Sequence, residues 1–116
     1  MNRTLRYSEV SRPRQLLIRL FQNTNFGEVR QLQVKDAEPV LNPAPVVLVD
    51  LKLDTDDESR PEIALTDFAL SQEVCRLLDR LDEVRNGEIE RILVRAGIPR
   101  RLVLQSSRLC VAEGWQ

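Results

Sequence analysis

The spacing of apolar and polar positions changes period several times along this chain, and each change predicts an element. Leu16, Leu17, Leu20 and Phe21 recur at helical spacing behind Ser11 and Pro13. Ser is a favourable N-cap, and Pro is tolerated in a first turn because an N–H there has no intrahelical partner. A short amphipathic helix is therefore predicted over 12–23, ending where Gly27 is free to take a positive φ. From Glu28 the period shortens. Leu32 and Val34 alternate with Gln31, Gln33 and Lys35, the mark of a half-buried strand. Val29 is out of step by one residue, which predicts a bulge near Arg30–Gln31. Asp36 to Pro39 turns the chain, and Asn42–Pro45 excludes helix. The run Val46–Leu53 is the strongest strand signal, with Val47, Val49, Leu51 and Leu53 on one face.

The second part of the chain repeats this order. A longer helix is predicted from Thr66 or Asp67 to Arg85, with Leu70, Val74, Leu77, Leu78, Leu81 and Val84 as its buried stripe. Strands follow at 88–94 and 99–105, joined by a turn at Ala96–Gly97. A last extended stretch, 108–112, is expected to add an edge strand, and Trp115 to dock on the core. Residues 1–10 read as a polar arm, ordered only if something holds them.

Aligned at an offset of sixty positions, Leu17 meets Leu77, Gly27 meets Gly87, Glu28 meets Glu88, Val34 meets Val94 and Pro39 meets Pro99. The out-of-step residue recurs too, as Ile89 ahead of Ile92 and Val94. Each half reads helix, strand, turn, Pro, strand. Such an αββ unit is too small to bury its own apolar face, but two can cover one another. The predicted fold is α+β, one domain over 1–116. Two αββ units, 12–53 and 66–112, share a mainly antiparallel sheet of about four strands with both helices on one face. An acidic connection, 54–65, joins them.

Phe26–Gly27 with Val29, echoed by Gly87 with Ile89, resembles the short bacterial YezD-like proteins, which are single αββ units of uncharacterised role. The resemblance covers Leu16–Lys35 and its echo. It departs at one extra residue after Val29, at Asn86 where an aromatic is usual, and at Asp36–Ala37 in place of a turn Gly. It implies the αββ fold and transfers no functional residue.

Composition narrows the function classes. The net charge of −1 gives no global field to recruit nucleic acid or a membrane surface. Lys35 and Lys52 are the only lysines and all other basic residues are Arg. With no His and only Cys75 and Cys110, the chain lacks the ligand set of an ordinary zinc site and the base of the common nucleophilic triads. The two thiols are expected to be reduced. The acidic run 54–61 lacks the Gly and terminal Glu of an EF-hand loop at their offsets. No apolar stretch serves as a signal peptide or membrane span, so a cytoplasmic location is expected. Glu88 with Glu90, and Asp79, Asp82 and Glu83, read as solvated faces. No catalytic residue, cofactor or metal is predicted.

Two functional expectations follow. The first is a non-catalytic protein–protein interaction or assembly module, with homodimerisation a common way to cover the face or edge that a one-sided sheet leaves available. Val46 to Val49, apolar on both strand faces, call for cover on both sides, either within one chain as a central strand or by a partner. The alternative is a nucleic-acid-binding module using Arg91, Arg95, Arg100 and Arg101 on the second hairpin. It is the weaker of the two, since these strands carry no aromatic for base stacking and Glu88 and Glu90 dilute the charge.

Overall fold

The computed structural model describes residues 4–54 and 64–104. A 3-10 turn, Tyr7–Glu9, precedes helix α1 (Arg12–Thr24). Strands β1 (Gly27–Lys35), β2 (Glu38–Val40) and β3 (Val46–Val49) follow, then α2 (Gln72–Val84), β4 (Gly87–Arg95) and β5 (Ile98–Leu104). The five strands form one antiparallel sheet of order β2–β1–β4–β5, in which β3 also pairs β1. Strand β2 pairs the end of β1 at Gln33–Lys35, and β3 pairs its beginning at Gly27–Arg30. The five strands thus occupy four rows, and the fold is α+β: α1 with β1, β2 and β3, then α2 with β4 and β5, on one sheet.

Matching elements of the two units start and stop sixty positions apart, α1 with α2 and β1 with β4. Ser11 and Ser71 cap the helices, their hydroxyls accepting from the N–H groups of Arg14 and Val74. At the other end Asn25 and Arg85 take positive φ, 62° and 59°. Gly27 was the expected stop, but the left-handed residue falls two positions earlier. Gly27 instead serves a close approach: a Cβ there would lie 1.9 Å from the carbonyl oxygen of Leu48.

Strands β1 and β4 join the units at the centre. Gly27 lies opposite Val94 and Val34 opposite Gly87; likewise Val29 faces Ile92 and Leu32 faces Ile89. The contact is reciprocal, as in a twofold dimer interface. The alternation breaks at Gln31, whose φ is 58°, but the β1–β4 ladder skips Gln31 and Glu90 together with no change of register, so these two strands show no two-against-one step there. A register shift falls at the matching level of β4, between Ile89 and Arg91 against β5. Two backbone bonds repeat the reciprocity, Ala37 N–H to Arg85 O at 2.8 Å and Gly97 N–H to Asn25 O at 2.9 Å. Each helix end therefore stops against the hairpin turn of the other unit.

A single apolar cluster lies between the helices and one sheet face. Leu17, Phe21, Leu81, Val29, Ile89 and Ile92 form its centre, and Tyr7 closes one side.

Three expectations need correction. Helix α2 begins at Gln72 rather than at 66 or 67, because the residues before it are held extended against the N-terminal arm. Tyr7 N–H donates to Phe68 O at 2.9 Å and Leu70 N–H to Leu5 O at 2.8 Å, bracketing an Arg6–Ala69 bridge. Strand β3 ends at Val49 rather than Leu53, where Asp50 N–H donates to Phe26 O at 2.7 Å. Glu38–Val40, read as turn, is strand β2. The extended stretch at 108–112 and Trp115 lie outside the described residues.

Candidate interaction surfaces

The arm is locked by a polar and aromatic cluster. The Tyr7 and Phe68 rings stack with centroids 4.9 Å apart, and the Arg19 guanidinium carbon lies 4.5 Å from the Tyr7 centroid. Arg19 also donates to Leu65 O and to Gln22 Oε1. Asp67 accepts from Arg6 Nε and from Ser8 N–H, each at 2.9 Å. The Arg6 hydrogen bond above all, then that of Ser8, holds its carboxyl below the ordinary 3.8, at about 2. Arg14 ties the halves together, donating to Ala37 O at 2.9 Å and to Asp82 Oδ1 at 2.6 Å. These contacts build the fold.

The sheet face away from the helices carries Glu28, Arg30, Gln33, Glu88 and Arg91. Here one carboxylate answers two guanidinium groups: Glu28 Oε1 lies 3.0 Å from Arg30 Nε and 3.9 Å from Arg91 Nη1. Gln33 Nε2 donates to Glu88 at 2.6 Å. Arg101 stands opposite Leu93 on this sheet, while Arg95, next to the turn, lines a 260 Å³ hollow with Asp50 and Gly27. Arg100 turns to the helix side and donates to Glu73 at 2.7 Å. The four arginines singled out from sequence are thus spread over three environments.

A different convergence appears at the outer margin of α2. Arg76 and Arg80 from the helix and Arg100 and Arg101 from β5 line a groove of about 220 Å³, floored by Leu77 and Leu102. Glu73 answers Arg100 and Glu83 answers Arg80 at 2.7 Å. No acid is paired with Arg76 or Arg101 among the described residues. Arg76 and Arg80 carry like charges four residues apart on one face of α2. Their four-residue spacing was the available signal, but only the topology sets that face beside β5.

The opposite margin is apolar. Strand β3 pairs β1 alone among the described residues, and Val46, Leu48 and Val49 are 45%, 43% and 50% exposed. Leu51 and Leu53, just beyond it, are 64% and 98% exposed.

Among the described residues no group of three His, Cys, Asp or Glu is placed to hold a metal, and no helix is long and apolar enough to cross a membrane. Burial first, then the Asp79 charge, raises the Cys75 thiol pKa, which keeps it protonated and unreactive. The class defined by these features is a small α+β protein whose distinctive surfaces are two sheet margins, one apolar and one arginine-rich. Comparison with family models, with curated proteins and with solved structures finds no match for the chain.

Proposed function

We propose that this protein is a non-catalytic interaction or assembly module of the bacterial cytoplasm that pairs with a second copy of itself through the β3 margin. The observation that carries this is the exposed, one-sided β3 strand. Among the described residues nothing pairs its far edge, and it carries apolar side chains on both faces, a combination that proteins normally blunt with charge, Pro or a covering element. An antiparallel β3–β3 pair satisfies a twofold axis, so both copies would use the same surface and the assembly closes at two.

The same logic underlies our reading of the chain as a tandem duplication of one αββ unit. Its support is the shared Ser caps, the matched helix and strand limits, and the reciprocal β1–β4 register. The nucleic-acid alternative has less support, because Glu28 lies against Arg91 and Glu73 against Arg100.

Light scattering on a sizing column tests the proposal. The intact chain is expected to elute as a dimer. Val46→Lys with Leu48→Lys, which place charge on an exposed edge without touching the core, are expected to convert it to monomer. A monomer at every concentration up to several hundred micromolar would reject the reading.

A further inference from the structure

We propose that the arginine-lined groove between α2 and β5 is a docking site for an acidic, extended peptide that adds as a strand to the outer edge of β5. This site is distinct from the β3 margin and does not depend on it. Three observations converge.

The first is the edge. Strand β5 ends the sheet order, and among the described residues nothing pairs its far side. Pro99 at its start fits an edge strand, since a Pro lacks the N–H that an interior ladder needs. An extended chain laid beside β5 would find open main-chain groups, the mode of recognition in which backbone bonds give affinity and side-chain pockets give specificity.

The second is shape. The groove runs between a helix and an edge strand, and its floor of Leu77 and Leu102 can receive an apolar side chain. Its volume, about 220 Å³, suits one side chain of a strand and not a folded partner.

The third is charge. Arg76, Arg80, Arg100 and Arg101 face two carboxylates, Glu73 and Glu83, so the rim keeps two cations in excess. Arginine presents a planar fork that matches carboxylates in two-point contacts. Side chains of an added strand alternate between the two sheet faces, so an apolar residue directed at Leu77 and Leu102 shares the groove with the residues two positions before and after it. The fitting ligand therefore carries acidic residues two positions from an apolar one, where Arg76, Arg80 and Arg100 meet them. Nucleic acid fits less well: it has no apolar side chain for the floor and no strand edge, and the groove offers no aromatic for base stacking.

The test is fluorescence anisotropy of the full-length protein with a fluorescein-labelled decapeptide in which Val and Glu take turns at every second position with Thr between them, at about 0.15 M salt, where the screening length is ~8 Å. Saturable binding is expected, with little for the matching Lys–Val peptide. Arg76→Glu with Arg101→Glu should weaken it at least about tenfold, as expected for lost charge-assisted bonds. Neither residue has an acid partner among the described residues, so the fold should persist, which circular dichroism checks. Arg91→Glu with Arg95→Glu should leave binding unchanged. On binding, amides of β5 should gain protection from hydrogen exchange. The monomeric Val46→Lys/Leu48→Lys protein should bind equally well, which separates this site from the dimer reading.

Equal binding of the Lys–Val peptide, indifference to Arg76→Glu/Arg101→Glu, or binding without new β5 protection would each overturn the proposal. So would an oligothymidylate that bound through these arginines while the acidic peptide did not. Binding that emerged only after deletion of residues 105–116 would do the same, by making the chain's own tail the occupant.

Discussion

Asp67 is one of the ties that hold the N-terminal arm on the body of the protein. Its carboxylate accepts from Arg6 and Ser8, and those bonds favour the charged form, lowering its pKa to about 2. A depressed folded-state pKa means that the contribution to docking is complete above the unfolded value of 3.8 and is lost as pH falls towards about 2. The expected outcome is that nuclear magnetic resonance signals of Tyr7 and Ser8 move towards free-arm values across that window, and that Asp67→Asn abolishes the pH dependence. Little of this was legible in the sequence. Tyr7, Arg19 and Phe68 lie far apart along the chain and follow no short-range pattern, so their stacking exists only once the fold has brought them together. The polar arm gave no sign of the partner that holds it.

At the scale of elements, the sequence was a good guide wherever an element buries one face by its own period. Helix α1, strands β1 and β4, and the Ala96–Gly97 turn lie within a residue or two of expectation, and the misfit of Val29 marks the break in alternation at Gln31. It failed where tertiary pairing overrode local preference. The apolar spacing of Phe68 and Leu70 suited helix, yet bonds to Leu5 and Tyr7 keep that segment extended. Asp36 and Ala37 both take positive φ, 53° and 66°, in a two-residue hairpin that usually calls for Asn–Gly or Gly. The bond from Ala37 N–H to Arg85 O helps hold that costly turn, and no neighbouring residue announces it. The β1–β3 pairing carries its own prediction. Gly27→Ala would drive a methyl into the Leu48 carbonyl, so β3 must move off the start of β1. Thermal unfolding should show a loss of about 1–3 kcal/mol, the usual cost of forcing extra volume into a packed site.

For the whole molecule, the decisive fact is a core with no seam. Leu17 and Phe21 of α1 share one cluster with Leu77 and Leu81 of α2, and the sheet beneath them runs unbroken from one unit to the other across the β1–β4 pair. Unfolding in denaturant should therefore be a single transition, with amides of β1 and β4 losing protection together. Two separable transitions would mean that each unit carries a core of its own. The two-unit plan was readable because it rests on spacing, which a sequence records directly. The arginine groove was not, since it depends on which row of the sheet ends beside which helix. The arginines chosen from the second hairpin alone were divided by the topology, and two on α2 completed the set.

The crosswise bonds from Ala37 to Arg85 and from Gly97 to Asn25 have one more consequence. They, the β1–β4 ladder and the Arg14–Asp82 pair all join the units without using residues 55–63. The described ties do not depend on covalent continuity there, which adds proximity, a raised effective concentration. A chain severed in that stretch would keep every described tie between its pieces, and they would hold together as two separate polypeptides.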